Sequence, residues 1–303
     1  MTERPSTRAA SGPLAMALGA HLFWGLMPLY LLLVAAVPAF ELVGWRVIFT
    51  VPLCLLFVTL RGQTGDVLAA LRNWRVLRLL LCSAAMISAN WLIYVAAIQS
   101  GHVLATSLAY YLTPLLQVAA GTLFLGERLS PRQWAAVGFA GLGVGLLAWG
   151  PLDMLWISLS LAVSWGIYGL IRKVTPVGAL PGLTIETLVI LPGALALTAW
   201  YAAAPAGSSL GVSTSLSLGI AFSGVVTAAP LTLFAMASRR MDFTTLGMLQ
   251  FTSPTLVFIL GITVFGLPLK PLQLLSFALI WVAIGLFLWD LLAQRRSAEV
   301  APA

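Results

Sequence analysis

Residues 104–149 read LATSLAYYLTPLLQVAAGTLFLGERLSPRQWAAVGFAGLGVGLLAW, and the pattern recurs 140 positions downstream. Without a gap, Pro114 meets Pro254, Leu116 meets Leu256, Gly121 meets Gly261 and Gly126 meets Gly266. The pairing continues through Leu129 and Leu269, Pro131 and Pro271, Gln133 and Gln273, Gly145 and Gly285, Leu146 and Leu286, and Trp149 and Trp289. Several identities fall on Gly, Pro and Gln, which chance matching of Leu-rich helices does not supply, so the chain carries an internal duplication. Both copies are apolar helices interrupted by proline. A duplicated membrane unit with a broken helix in each half is the usual sequence trace of a transporter.

The rest of the composition agrees. Hydrophobic residues make up 60% of the 303 and charged residues only 8%, against roughly 25% charged in a soluble domain. Mean hydropathy is +1.01, and no water-soluble fold hides that much apolar surface. Taking about twenty residues per crossing, the spans fall near Leu14–Val34, Glu41–Leu60, Val76–Ala97, Leu104–Phe124 and Arg132–Trp149 in the first half. In the second they fall near Leu152–Ile171, Leu180–Tyr201, Leu216–Met236, Thr244–Phe265 and Pro271–Leu291. The first apolar run reads as a retained helix and not a removed signal peptide.

The net charge of +7 is explained by orientation. With the N-terminus inside, Arg4, Arg8, Arg61, Arg72, Arg75, Arg78, Arg128, Arg132, Arg172, Lys173, Arg239, Arg240, Arg295 and Arg296 all lie in cytoplasmic segments, fourteen of the sixteen basic residues. Lys270 is external and Arg46 lies within a helix. This is a positive-inside pattern, so nucleic acid is excluded as a partner. Five helices is an odd number, which inverts the second copy relative to the first. The fold expected is an all-α polytopic membrane protein of ten transmembrane helices, arranged as two inverted five-helix repeats with both termini cytoplasmic. Residues 12–149 form one repeat and 150–292 the other, with tails at 1–11 and 293–303. The solute site of such a protein lies near the midplane, where the halves meet.

Loops are short. Arg61–Arg75 reads in part as an amphipathic interfacial turn, and Ala202–Ser215 as an external loop. Ser130-Pro131-Arg132-Gln133 has the form of a helix start, with Ser as N-cap, Pro first and Gln three residues after the cap. Gly141 and Gly145, four residues apart, predict a close helix–helix contact.

Polar residues in hydrocarbon need a reason. On the fourth helix Ser107, Tyr110, Pro114, Gln117 and Gly121 share a face, and Tyr111 adjoins it. The ninth helix repeats that face as Gly247, Gln250, Pro254, Val257 and Gly261. Each proline frees a carbonyl one turn earlier, so these residues either stabilise a kink or line a cavity. Arg46 lies roughly 10 Å below the outer surface at about 1.5 Å per residue. Arginine at that depth faces a cavity or an acidic partner, or snorkels outward. Glu186, at a comparable depth from the inner side, is a proton-coupling carboxylate or an interfacial residue; a direct Arg46–Glu186 pair is not expected, since the two start from opposite faces. Asn90, Trp91 and Tyr94 form a further patch, as do His21, Trp24, Gly25 and Pro28. Ser164, Trp165, Gly166 and Tyr168 echo the latter.

Other chemistry is excluded. Lys173 and Lys270 are the only lysines and neither follows a glycine, so there is no phosphate loop. Two histidines without an HExxH motif make a zinc site improbable. Cys54 and Cys82 lie in apolar runs and read as packing residues. No cofactor, metal or catalytic residue is expected, and the chain is not read as an enzyme.

Trp24-Gly25, Tyr-Tyr-Leu-Thr-Pro at Tyr110–Pro114 and Leu-Gly-Glu-Arg at Leu125–Arg128, set in ten helices, resemble the EamA-type permeases of the drug/metabolite transporter superfamily. His-Leu-Phe-Trp-Gly-Leu-Met-Pro-Leu-Tyr from His21, Trp-Arg-Val-Ile from Trp45, Asn-Trp-Leu from Asn90, Ile-Glu-Thr from Ile185 and Gln-Phe-Thr-Ser-Pro-Thr-Leu from Gln250 are similar to the RarD subfamily. The resemblance runs from about Pro13 to Arg296. It implies a permease of the bacterial inner membrane with a central cavity, in a subfamily whose name is linked to chloramphenicol sensitivity. The second repeat lacks the Gly-Glu-Arg element, reading Gly266-Leu267-Pro268, which argues against a direct site role for Glu127.

The expected function is secondary transport of a small metabolite, amino acid or drug-like solute by alternating access. A channel-like facilitator and a membrane-embedded sensor or enzyme are the alternatives. The candidate substrate-binding residues are Trp24, Arg46, Asn90, Tyr94, Tyr110, Tyr111, Gln117, Tyr168 and Gln250. His21, Pro114, Glu186 and Pro254 are the candidates for coupling or gating. The partners expected are a small-molecule substrate and the lipid bilayer, with proton coupling and a homodimer both left open.

Overall fold

The computed structural model describes residues 7–148 and 155–300, the side chains of 12–148 and 155–294 among them. All its regular structure is helical: α1 (Thr7–Gly25), α2 (Met27–Leu33), α3 (Ala39–Leu60), α4 (Thr64–Arg72), α5 (Trp74–Gln99), α6 (Val103–Phe124), α7 (Pro131–Ala148), α8 (Leu155–Val174), α9 (Ala179–Ala203), α10 (Thr214–Ser238), α11 (Phe243–Gln250), α12 (Thr252–Thr263) and α13 (Pro271–Val300). Two boundaries differ from the expected tails, since α1 already begins at Thr7 and α13 continues to Val300. Trp149 and Leu152, the expected end and start of adjoining spans, lie outside the described residues.

Among the described residues, eight spans are long and apolar enough to cross a membrane, α11 and α12 together making one, or nine if the bent pair α1–α2 is one crossing. The 18-residue α7 is not among them. Its first turn carries Arg132 and Gln133, which lower its mean hydropathy.

Prolines break two of these segments. Pro28 offers no N–H to the Trp24 carbonyl, and α1 and α2 part at Leu26 with a bend of 41°. Pro254 likewise leaves the Gln250 carbonyl without its helical donor, and α11 gives way to α12 at Phe251. Its repeat counterpart behaves otherwise: α6 runs unbroken through Pro114. The expected break in each half is therefore present at Pro254 and absent at Pro114.

The expected helix start at Ser130 is a reciprocal capping box. The Ser130 N–H donates to Gln133 Oε1 at 3.0 Å, and the Gln133 N–H donates to Ser130 Oγ at 3.1 Å. The Arg61–Arg75 segment holds the short helix α4, whose Val67 and Ala70 are buried against Val58, Leu80 and Ile185.

Long-range packing joins three helices to the one about 140 residues further on. α7 lies along α13, α3 along α9, and α6 along α11. Contacts between the halves also come in exchanged pairs: α5 packs on α8 as α1 packs on α10, and α6 packs on α8 as α1 packs on α12. Small residues set these approaches. A Cβ on Gly143 of α7 would lie 2.8 Å from the Ser276 carbonyl of α13, beside the buried Ala136, Ala140, Ile280 and Ala283. Gly141 and Gly145, the glycines expected at this contact, have nothing within 4 Å of an added Cβ. The helix is turned so that Ala136, Ala140 and Gly143, not the Gly141–Gly145 pair, form the seam.

Candidate solute-binding site

Gly224 of α10 places Arg46. A Cβ there would lie 2.5 Å from the Phe49 carbonyl of α3, so only glycine admits this crossing without displacement. One turn further along α10, and one turn back along α3, Thr227 and Arg46 then meet. The Arg46 Nε–H donates to Thr227 Oγ1 at 2.9 Å. Thr50 Oγ1 stitches the same crossing by donating to the Arg46 carbonyl at 2.7 Å and the Gly224 carbonyl at 3.3 Å.

The Arg46 guanidinium lies over the Trp91 ring of α5, 5.3 Å from its centroid, with the Tyr30, Tyr94 and Tyr110 side chains within electrostatic range. Tyr94 and Tyr110 meet edge to face at 6.1 Å. The ion pairs among the described residues are Arg132–Asp290, Arg172–Glu186 and Lys173–Glu127. Arg46 has no carboxylate partner, and its terminal N–H groups meet no protein acceptor among those residues. A half-buried cation held by one hydroxyl and an aromatic face can receive an anionic group in a bidentate geometry.

Trp24 and Trp165, the two tryptophans of the repeated Trp-Gly element, meet edge to face at 5.0 Å. Phe234 packs on both, at 5.8 and 5.3 Å, and Tyr168 lies 5.5 Å from Trp165. His21 is fully buried beside Trp24 at 5.4 Å. Its carbonyl accepts from Ser253 Oγ at 2.9 Å, its Nδ1 lies 3.4 Å from the same hydroxyl, and its Nε2 has no partner among the described residues. Tyr168 and Phe234 belong to a buried apolar cluster against which Trp24 and Trp165 pack.

Beyond Tyr168 lies Glu186. It is buried, accepts from Ser83 Oγ, and pairs with Arg172 at 3.5 Å, each side chain 1% exposed. Arg172 also donates through Nη2 to the Ala179 carbonyl at 2.7 Å. Arg172 is therefore not a loop charge, as the charge count alone suggested. The last turn of α8 meets the start of α9, and Gly182 leaves the space that the guanidinium fills.

Glu127 binds next to this region. Its Oε1 and Oε2 accept from the Phe243 and Thr244 N–H groups at 2.7 and 2.8 Å, which satisfies the open N-terminus of α11. Lys173 lies 3.7 Å from it and donates to the Ser238 and Met241 carbonyls at 3.1 and 2.8 Å. One lysine and one glutamate thus tie the ends of α8 and α10 to the start of α11. Sequence reasoning missed this latch; its only trace was a Gly-Glu-Arg element present in one repeat and absent from the other.

The remaining candidates divide. Asn90 Nδ2 is engaged with the Leu161 carbonyl at 2.8 Å and Ser164 Oγ at 3.0 Å, tying α5 to α8. Tyr111 faces away from Arg46 and meets Phe277 of α13 at 5.7 Å. Gln117 is fully buried in the α6–α11 contact, and among the described residues neither its amide atoms nor the Gln250 Oε1 has a hydrogen-bond partner. Pro114 and Pro254 are buried; the Pro114 carbonyl would lie 2.9 Å from a Cβ on Gly247. The structure therefore gathers Tyr94 and Tyr110 around Arg46, sets Trp24, Tyr168 and His21 together on the core, and leaves Tyr111 and Gln117 apart from both groups.

Residues 12–149 match the EamA-like transporter family. An uncharacterised transporter of Pseudomonas aeruginosa is 39% identical over 282 residues, covering 91% of this chain and 92% of that protein. The chain belongs to the EamA-like transporter family. It is similar to protein RarD of Escherichia coli, with 35% identity over 286 residues covering 94% and 96% of the two chains, and is a permease of the RarD type. One solved crystal structure aligns with a TM-score of 0.72 over 91% of this chain and 97% of the other. At 20% identity that likeness speaks for the fold alone. The protein is thus a multi-pass membrane protein of a transporter family.

Proposed function

We propose that this permease is a secondary transporter that carries a small solute with an anionic or zwitterionic group, an amino acid or compact amphipathic metabolite, by alternating access. The observation that carries this reading is Arg46, an intramembrane arginine without a carboxylate partner, held over Trp91 and among tyrosines. A solute carboxylate would complete its coordination, while Tyr94, Tyr110 and Trp91 would meet the apolar or cationic remainder.

The architecture we infer is ten crossings in two inverted five-helix repeats, 12–149 and 150–292, with both termini cytoplasmic, in a bacterial inner membrane. The exchanged helix contacts, the Trp24–Trp165 meeting and the positive-inside charges support it. Rocking of the halves about the tryptophan cluster would expose Arg46 to either side in turn. Glu186, buried beside the Ser83 and Tyr168 side chains, is the residue through which a proton would couple to that motion, with Arg172 as its resting partner. Assembly as a homodimer is compatible with this scheme but not required by it.

Solute counterflow in proteoliposomes tests the reading. Vesicles loaded in turn with pooled amino acids, small carboxylates and chloramphenicol should show accelerated exchange for one pool, reduced by Arg46→Ala. Exchange with no pool, by protein that elutes as a folded monodisperse species, would count against a carrier of these solutes.

A further inference from the structure

The corner between α4 and α5 carries chemistry that the transport reading does not use. Here a concavity of about 650 Å³ is lined by Ala69, Arg72, Asn73, Trp74, Arg75 and Arg78. All three arginines are exposed, and none has a carboxylate within 4.0 Å or a side-chain hydrogen bond among the described residues. The nearest acidic residue in sequence, Asp66, lies in the first turn of α4, at the other end of that helix from the concavity. Asn73 Oδ1 caps α5 by accepting from the Arg75 and Val76 N–H groups at 3.1 and 3.3 Å, so the positive end of the α5 dipole also points here.

The apolar surroundings are as marked as the charge. Trp74 is 62% exposed, Leu68 54% and Leu71 42%. Arg78 lies over the Trp74 ring at 5.9 Å. The other face of α4, through Val67 and Ala70, is packed on the bundle, so the short helix is held in place while Leu68 and Leu71 project from it. Exposed leucines and a tryptophan next to unpaired arginines are the two halves of a membrane-surface site: the apolar side chains enter the acyl boundary and the cations stay at headgroup level. A basic pocket of this kind between membrane helices suits a lipid phosphate.

We propose that the α4–α5 corner is a binding site for one anionic phospholipid, its phosphodiester held by Arg72, Arg75 and Arg78 and its glycerol and acyl region lying along Trp74, Leu71 and Leu68. The inference rests on the proposed orientation, which puts this corner at the inner leaflet, but not on the identity of the transported solute. The occupant is a lipid and not a free anion, because a soluble phosphate would leave the exposed tryptophan and leucines without a partner.

Native mass spectrometry of the detergent-purified full chain reads the site directly. Incubated with equimolar phosphatidylglycerol and phosphatidylcholine, the wild type should retain one phosphatidylglycerol in preference, at least five-fold over phosphatidylcholine. Arg72→Gln/Arg75→Gln/Arg78→Gln should abolish that preference, and the single Arg75→Gln variant should lower it several-fold should the triple variant not fold. Trp74→Ala should weaken retention of the lipid while leaving its charge preference intact. Arg61→Gln, a basic change outside the concavity, should leave the adduct unchanged. An adduct lost equally with Arg61→Gln would mean that bulk charge and no site is responsible. Retention unaffected by the arginine changes would overturn the proposal, as would complete displacement of the lipid by millimolar inorganic phosphate. Because this readout needs no transport, its failure and the failure of the carrier reading are separate results.

Discussion

Glu186 is paired with Arg172 at 3.5 Å, while Arg46, the residue 140 positions before it in the sequence repeat, meets no carboxylate among the described residues. Two positions related by the 140-residue offset thus hold opposite charges, one neutralised within the protein and one without such a partner. In an apolar interior a partnered charge is held by the protein in this conformation, whereas an unpartnered one is costly unless a ligand or water meets it. The asymmetry separates the roles of the two residues.

Removing one member of the buried pair should destabilise strongly. Arg172→Leu leaves a buried carboxylate with only the uncharged Ser83 and Tyr168 hydroxyls beside it, and a loss of about 3–5 kcal/mol is expected. The double variant Arg172→Leu/Glu186→Leu should recover most of that loss. Thermal unfolding in detergent, followed by loss of the monodisperse species, measures these and the single Glu186→Leu variant; a double-variant loss equal to the sum of the two single losses would show that the sites act independently.

Arg46→Ala should fold normally and exchange anionic or zwitterionic solutes about ten-fold more slowly or worse, since a charge-assisted contact is worth more than about 1.4 kcal/mol. Arg46→Lys should restore part of the rate, because it returns the charge without the planar fork. Unchanged counterflow in Arg46→Ala would show that the side chain merely snorkels.

Gln117 and Gln250 make opposite predictions. Both amide atoms of Gln117 are buried without partners, a cost of about 1–3 kcal/mol per unmade bond, so Gln117→Leu should leave the melting temperature unchanged or raise it. Gln250→Ala should weaken solute binding more than it lowers stability. Solute-dependent thermal shifts on both variants decide the matter: equal losses of binding and stability for Gln250→Ala would make it a kink-satisfying residue at the α11–α12 break.

Glycines that look alike in sequence should differ on substitution. Gly224→Ala sets a Cβ 2.5 Å from the Phe49 carbonyl, and overpacking of about 1–3 kcal/mol is expected, together with slower exchange as Thr227 is pushed from Arg46. Gly141→Ala meets nothing within 4 Å and should stay within about 1 kcal/mol of wild type, on the stabilising side. Melting curves of the two variants compare them, and a milder effect at Gly224 than at Gly141 would refute the crossing described.

Much of this was legible in the chain. Apolar spans, the 140-residue repeat, the capping box at Ser130 and the break at Pro254 each depend on residues close in sequence, whose physics is local: a missing N–H, a short polar side chain facing the next turn, a run of hydrocarbon long enough for a bilayer. Arg46 also stood out alone, because an arginine in such a run is costly wherever the helix lies.

What tertiary structure alone decided is which polar groups are satisfied and by whom. Pro114 and Pro254 are repeat equivalents that each lack an N–H, yet only Pro254 breaks its helix, so the local rule names where a break can form and the tertiary setting decides whether it does. Arg172 counted as a loop charge until the α8–α9 turn enclosed it against Glu186, and Glu127 had no role until folding brought the α11 N-terminus to it. Asn90 matched a binding residue by type and turned out to hold the backbone of α8. Apart from Arg172 and Glu186, such pairings join groups 71 to 181 residues apart, and sequence encodes such distances only through the fold. Local composition determined that this is a repeated helical membrane protein; three-dimensional neighbourhood determined that Glu186 lies against Arg172 while Arg46 meets a hydroxyl and an aromatic face.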